Sequence, residues 1–111
     1  VQGNKLNAIL NQRSQDMLTA NNWNVCQYAA LVYMFASDAG LIPGELIHVI
    51  ADAHIYNRHV PLVEELIRKE PFPAPEMKVT APGDFYSFTK DSFTAINYRY
   101  HDFNSRIEVA I

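Results

Sequence analysis

Glu45-Leu46-Ile47-His48-Val49-Ile50-Ala51-Asp52-Ala53-His54-Ile55-Tyr56 alternates in character for about twelve residues, the period-two signature of a long strand. Its odd positions Ile47, Val49, Ala51, Ala53 and Ile55 form an unbroken apolar face, which predicts the packed side. His48, Asp52, His54 and Tyr56 fall on the even face, which is expected to carry the chemistry. Just upstream, Pro43-Gly44 reads as a turn. Before that, Trp23 to Ala36 is apolar on nearly every side, with Gln27 as its one strongly polar interior residue. Such a segment predicts a central helix buried all round, capped by Asn21, Asn22 or Asn24 and stopped by Gly40. Lys5 to Asn11 places Leu6, Ala8 and Leu10 on one face and is a second strand.

Downstream, Pro61 suits the start of a shorter helix with an apolar stripe of Leu62, Val63, Leu66 and Ile67. The run Pro71-Phe72-Pro73-Ala74-Pro75 then forces an extended connector. Met77 to Thr80 suggests a strand ended by Pro82-Gly83-Asp84. Residues 84–88 and 92–96 are aromatic and fit either state, and Arg106 to Ile111 reads as a terminal strand. These elements predict an α+β fold: a mixed β-sheet packed against a buried central helix and a second, shorter helix.

The 111 residues suit one domain. Nine Lys plus Arg against twelve Asp plus Glu give 9 − 12 = −3. No run of like charge stands out, so neither a nucleic-acid nor a membrane partner is expected. No apolar stretch reaches the roughly 18 residues that span a bilayer. The single Cys26 cannot form an internal disulfide, which fits a reducing, cytoplasmic location. Cys26 also lies inside the apolar helix, where a thiol is expected to be core and unreactive. The chain opens at Val1, almost directly into a strand that needs neighbours, and is expected to be a single partial domain with earlier sequence missing.

The candidate functional residues are Asn11-Gln12-Arg13-Ser14-Gln15-Asp16, then Asn24 eight positions on, then Asp52-Ala53-His54-Ile55-Tyr56. Together they offer a cation and a hydroxyl for a phosphate, an amide for a base edge, and an imidazole and a phenol for a sugar. Each has a plainer alternative. Arg13 could be a surface cation, Asp16 a turn cap, Asn24 a helix cap, His54 a core histidine and Tyr56 a packing residue. A metal could be drawn to His48, Asp52, His54 and His59. It is not expected, because Asp52-x-His54 reverses the usual His-x-Asp oxygenase order and no thiolate assists.

In order and spacing these residues resemble the carboxy-terminal half of thymidylate synthase, nearly end to end. That family makes dTMP from dUMP with 5,10-methylenetetrahydrofolate, needs no metal and works as a homodimer. The resemblance implies that Arg13 and Ser14 hold the nucleotide phosphate, that Asn24 reads uracil and that His54 and Tyr56 bind the deoxyribose hydroxyl. It further implies that Asp16 contacts the pterin, that Trp23 stands where a Phe packs on the folate, and that Ala110 belongs to a tail, Ile107-Glu108-Val109-Ala110-Ile111, closing over it. The family's nucleophilic Cys sits in a Pro-Cys-His segment upstream of the Gln-Arg-Ser run, and this sequence contains no such segment. No residue here is therefore expected to be the catalytic nucleophile. The usual Leu-Gly-x-Pro-Phe-Asn is here Thr19-Ala20-Asn21-Asn22-Trp23-Asn24, and the usual Gly-Asp is Ala51-Asp52. A non-catalytic nucleotide-binding or interaction module derived from this half is the alternative reading.

Overall fold

The structure is a computed structural model that describes residues 1–103 and 105–108. Strand β1 (Lys5–Asp16) leads into helix α1 (Asn21–Asp38), which returns the chain to strand β2 (Ile42–His54). β1 and β2 pair in parallel, with Leu10 opposite His48, Ser14 opposite Asp52 and Asp16 opposite His54. A parallel pair needs a crossover, and α1 is that crossover. A 3-10 turn (Asn57–His59) and short helix α2 (Val60–Leu66) follow, with Pro61 in the first turn. Strands β3 (Glu76–Val79) and β4 (Phe93–Ile96) then pair antiparallel. The α+β class expected from the sequence is the class observed, with parallel and antiparallel pairing divided between two two-stranded sheets.

The local differences have physical reasons. β1 runs on to Asp16 although Gln12 to Asp16 has no apolar alternation, because hydrogen bonding to β2 sets strand length there. Pro43-Gly44 lies inside β2 and is no turn. The register slips between Leu6 and Ala8, and the Asn7 side chain fills the gap by accepting from the Glu45 amide at 2.9 Å. A Cβ on Gly44 would collide with that side chain, so a residue without one is required. At the start of α1, Ala20 occupies the cap position without a side-chain hydrogen bond, and none of the three asparagines caps. At its end Gly40 adopts φ 65°, and the Leu41 amide reaches back to the Ala36 carbonyl at 2.7 Å, closing the helix as a left-handed cap does.

Burial overturns three expectations. α1 is covered on one side only: Val32 and Ala36 are buried, whereas Trp23 and Phe35 are exposed. Cys26 is exposed rather than core. At 100° per residue its separations from Val32 and Ala36 come to about 120° and 80°, which puts it to the side of the covered stripe. In β2 the two faces are exchanged relative to expectation. Ile47, Val49 and Ile55 are exposed, while Leu46, His48, Ile50 and His54 on the even face are half-buried. Leu46 meets Leu10 of β1 and Leu31 and Val32 of α1 around one apolar hollow, so the even face looks toward the helix.

The chain beyond β4 turns at Asn97, which adopts φ 59°. It then runs back along the segment after α2 without strand pairing. The Lys69 ammonium donates to the Asp102 carbonyl at 3.1 Å, and a His101 ring nitrogen lies 2.8 Å from the Glu70 carbonyl. Phe72 packs against both the His101 ring, at 4.4 Å, and the Arg99 guanidinium, at 4.2 Å. Of the terminal strand expected at residues 106–111, Arg106 to Glu108 are not in a strand, and residues 109–111 lie outside the described residues.

Candidate nucleotide and folate site

Parallel strands gather their carboxyl ends at one edge, and ligands of α/β units bind there. Asp16 ends β1 and His54 ends β2, and the Met17 amide donates to the His54 carbonyl at 3.0 Å across that edge. Over it lies a cavity of about 560 Å³. Its wall comprises Asp16, Leu18 and Thr19 from the end of β1, Asn22 and Trp23 from the first turn of α1, Tyr56 and His59 after β2, and Ile107 and Glu108.

Asp16 anchors this wall. One carboxylate oxygen accepts from the Leu18 and Thr19 amides at 2.9 and 3.1 Å, and the other accepts from the Thr19 hydroxyl at 2.5 Å. Desolvation raises its carboxyl pKa. The Thr19 hydroxyl, the Thr19 and Leu18 amides and the charge effect of His59 outweigh that, so the group is held below its ordinary value. Asp16 thus makes the turn that the plainer alternative foresaw while also facing the cavity. Trp23 and Tyr56 supply aromatic surface to the same cavity. A ring-edge series continues from His54 to Tyr56, with centroids 5.3 Å apart, and from Tyr56 to His59, 5.8 Å apart.

The other sequence-predicted residues stand nearby or elsewhere. Ser14 donates to the Asp52 carboxylate at 3.2 Å, and that carboxylate is 3.5 Å from His54 Nδ1. Arg13, the next residue along the strand, falls on the opposite face, where it borders a shallow hollow with Asn11, Val49 and Ala51. The structure therefore does not bring the Arg13 and Ser14 side chains together. Asn24 donates to the Ala20 carbonyl at 2.9 Å. A carboxamide carries two N–H groups and one oxygen, so this bond fixes the side chain and leaves an N–H and the oxygen for other partners. Ala110 lies outside the described residues. Among the described residues no three His, Cys, Asp or Glu side chains assemble into a metal-binding group, and no helix is long and apolar enough to cross a membrane.

Of the other lining residues, sequence reasoning gave Thr19 and Asn22 no ligand role, weighed His59 only for a metal, and placed Ile107 and Glu108 in the tail that the resemblance implies. Asp16-x-x-Thr19 was a readable turn signal. His59 had none, since its partner is the Glu108 carbonyl forty-nine positions on. As to fit, a planar heterocycle bearing N–H groups suits this wall: Trp23 and Tyr56 offer aromatic surface, and Asp16 keeps lone pairs beyond those its own turn uses.

Comparison with known proteins bears on family and fold. The thymidylate synthase family model matches residues 1–111. The chain is 39% identical over 97 residues to a thymidylate synthase of Corynebacterium aurimucosum, covering 87% of this chain and 36% of the relative. It is 34% identical over 102 residues to a bifunctional dihydrofolate reductase-thymidylate synthase of Paramecium tetraurelia, covering 92% of this chain and 22% of that protein. The solved thermostable thymidylate synthase A from Bacillus subtilis superposes over 100% of this chain and 40% of its own, with a TM-score of 0.92 and 39% identity. The chain spans well under half the length of these relatives. From the family match along its whole length, together with the shared fold, the chain belongs to the thymidylate synthase family.

Proposed function

We propose that this chain is the carboxy-terminal part of a thymidylate synthase and forms the wall that holds dUMP and folate during reductive methylation to dTMP. The observation that supports this most is the convergence of Asp16, Trp23 and Tyr56, from three separate segments of the chain, on one cavity. When bound, 5,10-methylenetetrahydrofolate supplies both the one-carbon unit and the hydride that reduces it. The chain's own residues bind and orient. Asn24, fixed through Ala20, offers its oxygen to N3–H of uracil and its remaining N–H to O4. His54 and Tyr56 take the deoxyribose hydroxyl. Asp16 takes the pterin N–H groups, Trp23 covers the ring and Ala110 belongs to the closing tail. Arg13 and Ser14 serve the phosphate, which requires the Arg13 side chain to swing toward the strand end.

The thiolate that adds to C6 of dUMP is not among these 111 residues in this reading. Cys26, the single Cys, is exposed on α1 and outside the cavity wall. The protein is cytoplasmic and acts as a homodimer. The exposed apolar strip of Ile9, Ile47 and Val49 supplies surface that an assembly would bury.

The test is a chimera in which this chain replaces the matched segment of Bacillus subtilis thymidylate synthase A. The chimera is expected to form dTMP, and the 111-residue chain alone is expected not to. Asn24→Asp in the chimera should move binding preference from dUMP toward dCMP by about ten- to a hundredfold, because an ionised carboxylate accepts from the N4 amine of cytosine and repels O4 of uracil. Arg13→Ala should weaken dUMP far more than deoxyuridine. A folded chimera that binds neither dUMP nor folate contradicts the proposal and favours a non-catalytic module.

A further inference from the structure

We propose that His59 is a positioning residue: it anchors the carboxy-terminal segment at Glu108 and so fixes where that segment meets the cavity. His59 is 2% exposed, and its Nε2 lies 2.9 Å from the Glu108 carbonyl oxygen. A carbonyl can only accept, so Nε2 carries the proton and donates. Nδ1 is buried and has no hydrogen-bond partner among the described residues. A buried, unpaired ring nitrogen costs stability, so a purely space-filling role would be served better by an apolar side chain. Retaining imidazole there makes sense if the Nε2 bond has a use.

The surroundings say what that use is. The His59 amide donates to the Tyr56 carbonyl at 2.8 Å, and the His59 ring meets the Tyr56 ring edge-on. His59 and Asp16 line the same cavity. One residue thus joins the chain just after β2 to the segment around Glu108. Upstream, that segment is held as far as Asp102 by Lys69 and His101, and it returns to the body at Glu108. The proposal concerns the anchor, and its relevance to folate rests on the function proposed above.

Limited proteolysis of the 111-residue chain reads the anchor directly, with no ligand or turnover required. Trypsin cuts after Arg106, two residues before Glu108, while Lys78 and Lys90 serve as internal references. His59→Ala should speed cleavage at Arg106 about five- to tenfold and leave the reference sites unchanged. His59→Gln, whose amide can donate to the same carbonyl, should restore protection to within about twofold of the parent. His59→Phe fills the space without donating, and it should cleave like His59→Ala. Protection by Phe equal to that by Gln would reduce His59 to packing and overturn the proposal, as would equal cleavage of parent and His59→Ala. If His59→Ala does not fold, the Gln and Phe pair, closer in bulk to His, decides alone. In the chimera, His59→Phe should raise KM for 5,10-methylenetetrahydrofolate and His59→Gln should not. Anchoring without that change in KM leaves the anchor standing and contradicts the folate reading instead.

Discussion

The β1–α1–β2 unit and the segment after β4 are held together in different ways. In the first, two parallel strands pair along their length and α1 lays Val32 and Ala36 against them. Order there comes from a repeating backbone and a shared apolar interior. In the second, side chains of Lys69, His101 and His59 reach isolated backbone carbonyls, and Phe72 packs on two neighbours. Each such tie is worth about 1 kcal/mol, and none enforces the next. The cavity lies at the seam, with Asp16 and Trp23 from the cooperative unit and Ile107 and Glu108 from the clipped segment. A site built this way has one rigid wall and one that can open.

The comparison breaks most visibly at Ala36, which is 0% exposed. Ala36→Glu places an uncompensated charge in the only fully covered part of α1 and should cost about 3–5 kcal/mol. Urea unfolding followed by far-UV dichroism is expected to show loss of the whole fold. Retention of β1–β2 pairing in that variant would contradict the cooperative description.

Asp16 stands between the two regions, and its effect should be smaller. Asp16→Ala removes three hydrogen bonds to a carboxylate and should cost about 1.5–3 kcal/mol near neutral pH. The sign of the pH dependence follows from the lowered pKa. The folded state binds this proton less readily than the unfolded chain, so the stabilisation is full above the ordinary carboxylate range near pH 4. It is lost as pH falls through the lowered folded value. Melting temperatures recorded from pH 6 down to pH 2 should therefore drop more steeply for the parent than for Asp16→Asn; parallel curves would remove Asp16 from the account.

Phe72→Ala should have the smallest effect, about 1 kcal/mol and confined to one region. Amide exchange is expected to quicken across residues 97–103 and to stay unchanged in β1 and β2. Quickening in both would show that the clipped segment is part of the cooperative unit.

The same contrast explains what could be read from the sequence. Both long strands, α1, the Pro61 helix and β3 were legible, because each carries a period or a breaker. The facing of β2 was misread, since its even face also contains Leu46 and Ile50. Alternation separates two faces without saying which one a neighbour will cover. Burial of α1 was overestimated for a related reason: composition reports that Trp23, Cys26 and Phe35 could be buried, and only packing partners decide whether they are. Asp16, Trp23 and Tyr56, to which the resemblance gives ligand roles, line one cavity. The tie between His59 and Glu108 was not legible, because a single side-chain contact across forty-nine positions leaves no periodic trace.

Hydrogen exchange of the chimera, with and without dUMP and folate together, tests the two-walled site most directly. Joint binding should slow exchange at residues 16–24 and 54–59 and, in the same experiment, at residues 105–108. Protection confined to the β1–α1–β2 side, with 105–108 exchanging as fast as in the free protein, would contradict the claim that the clipped segment is a wall of the site.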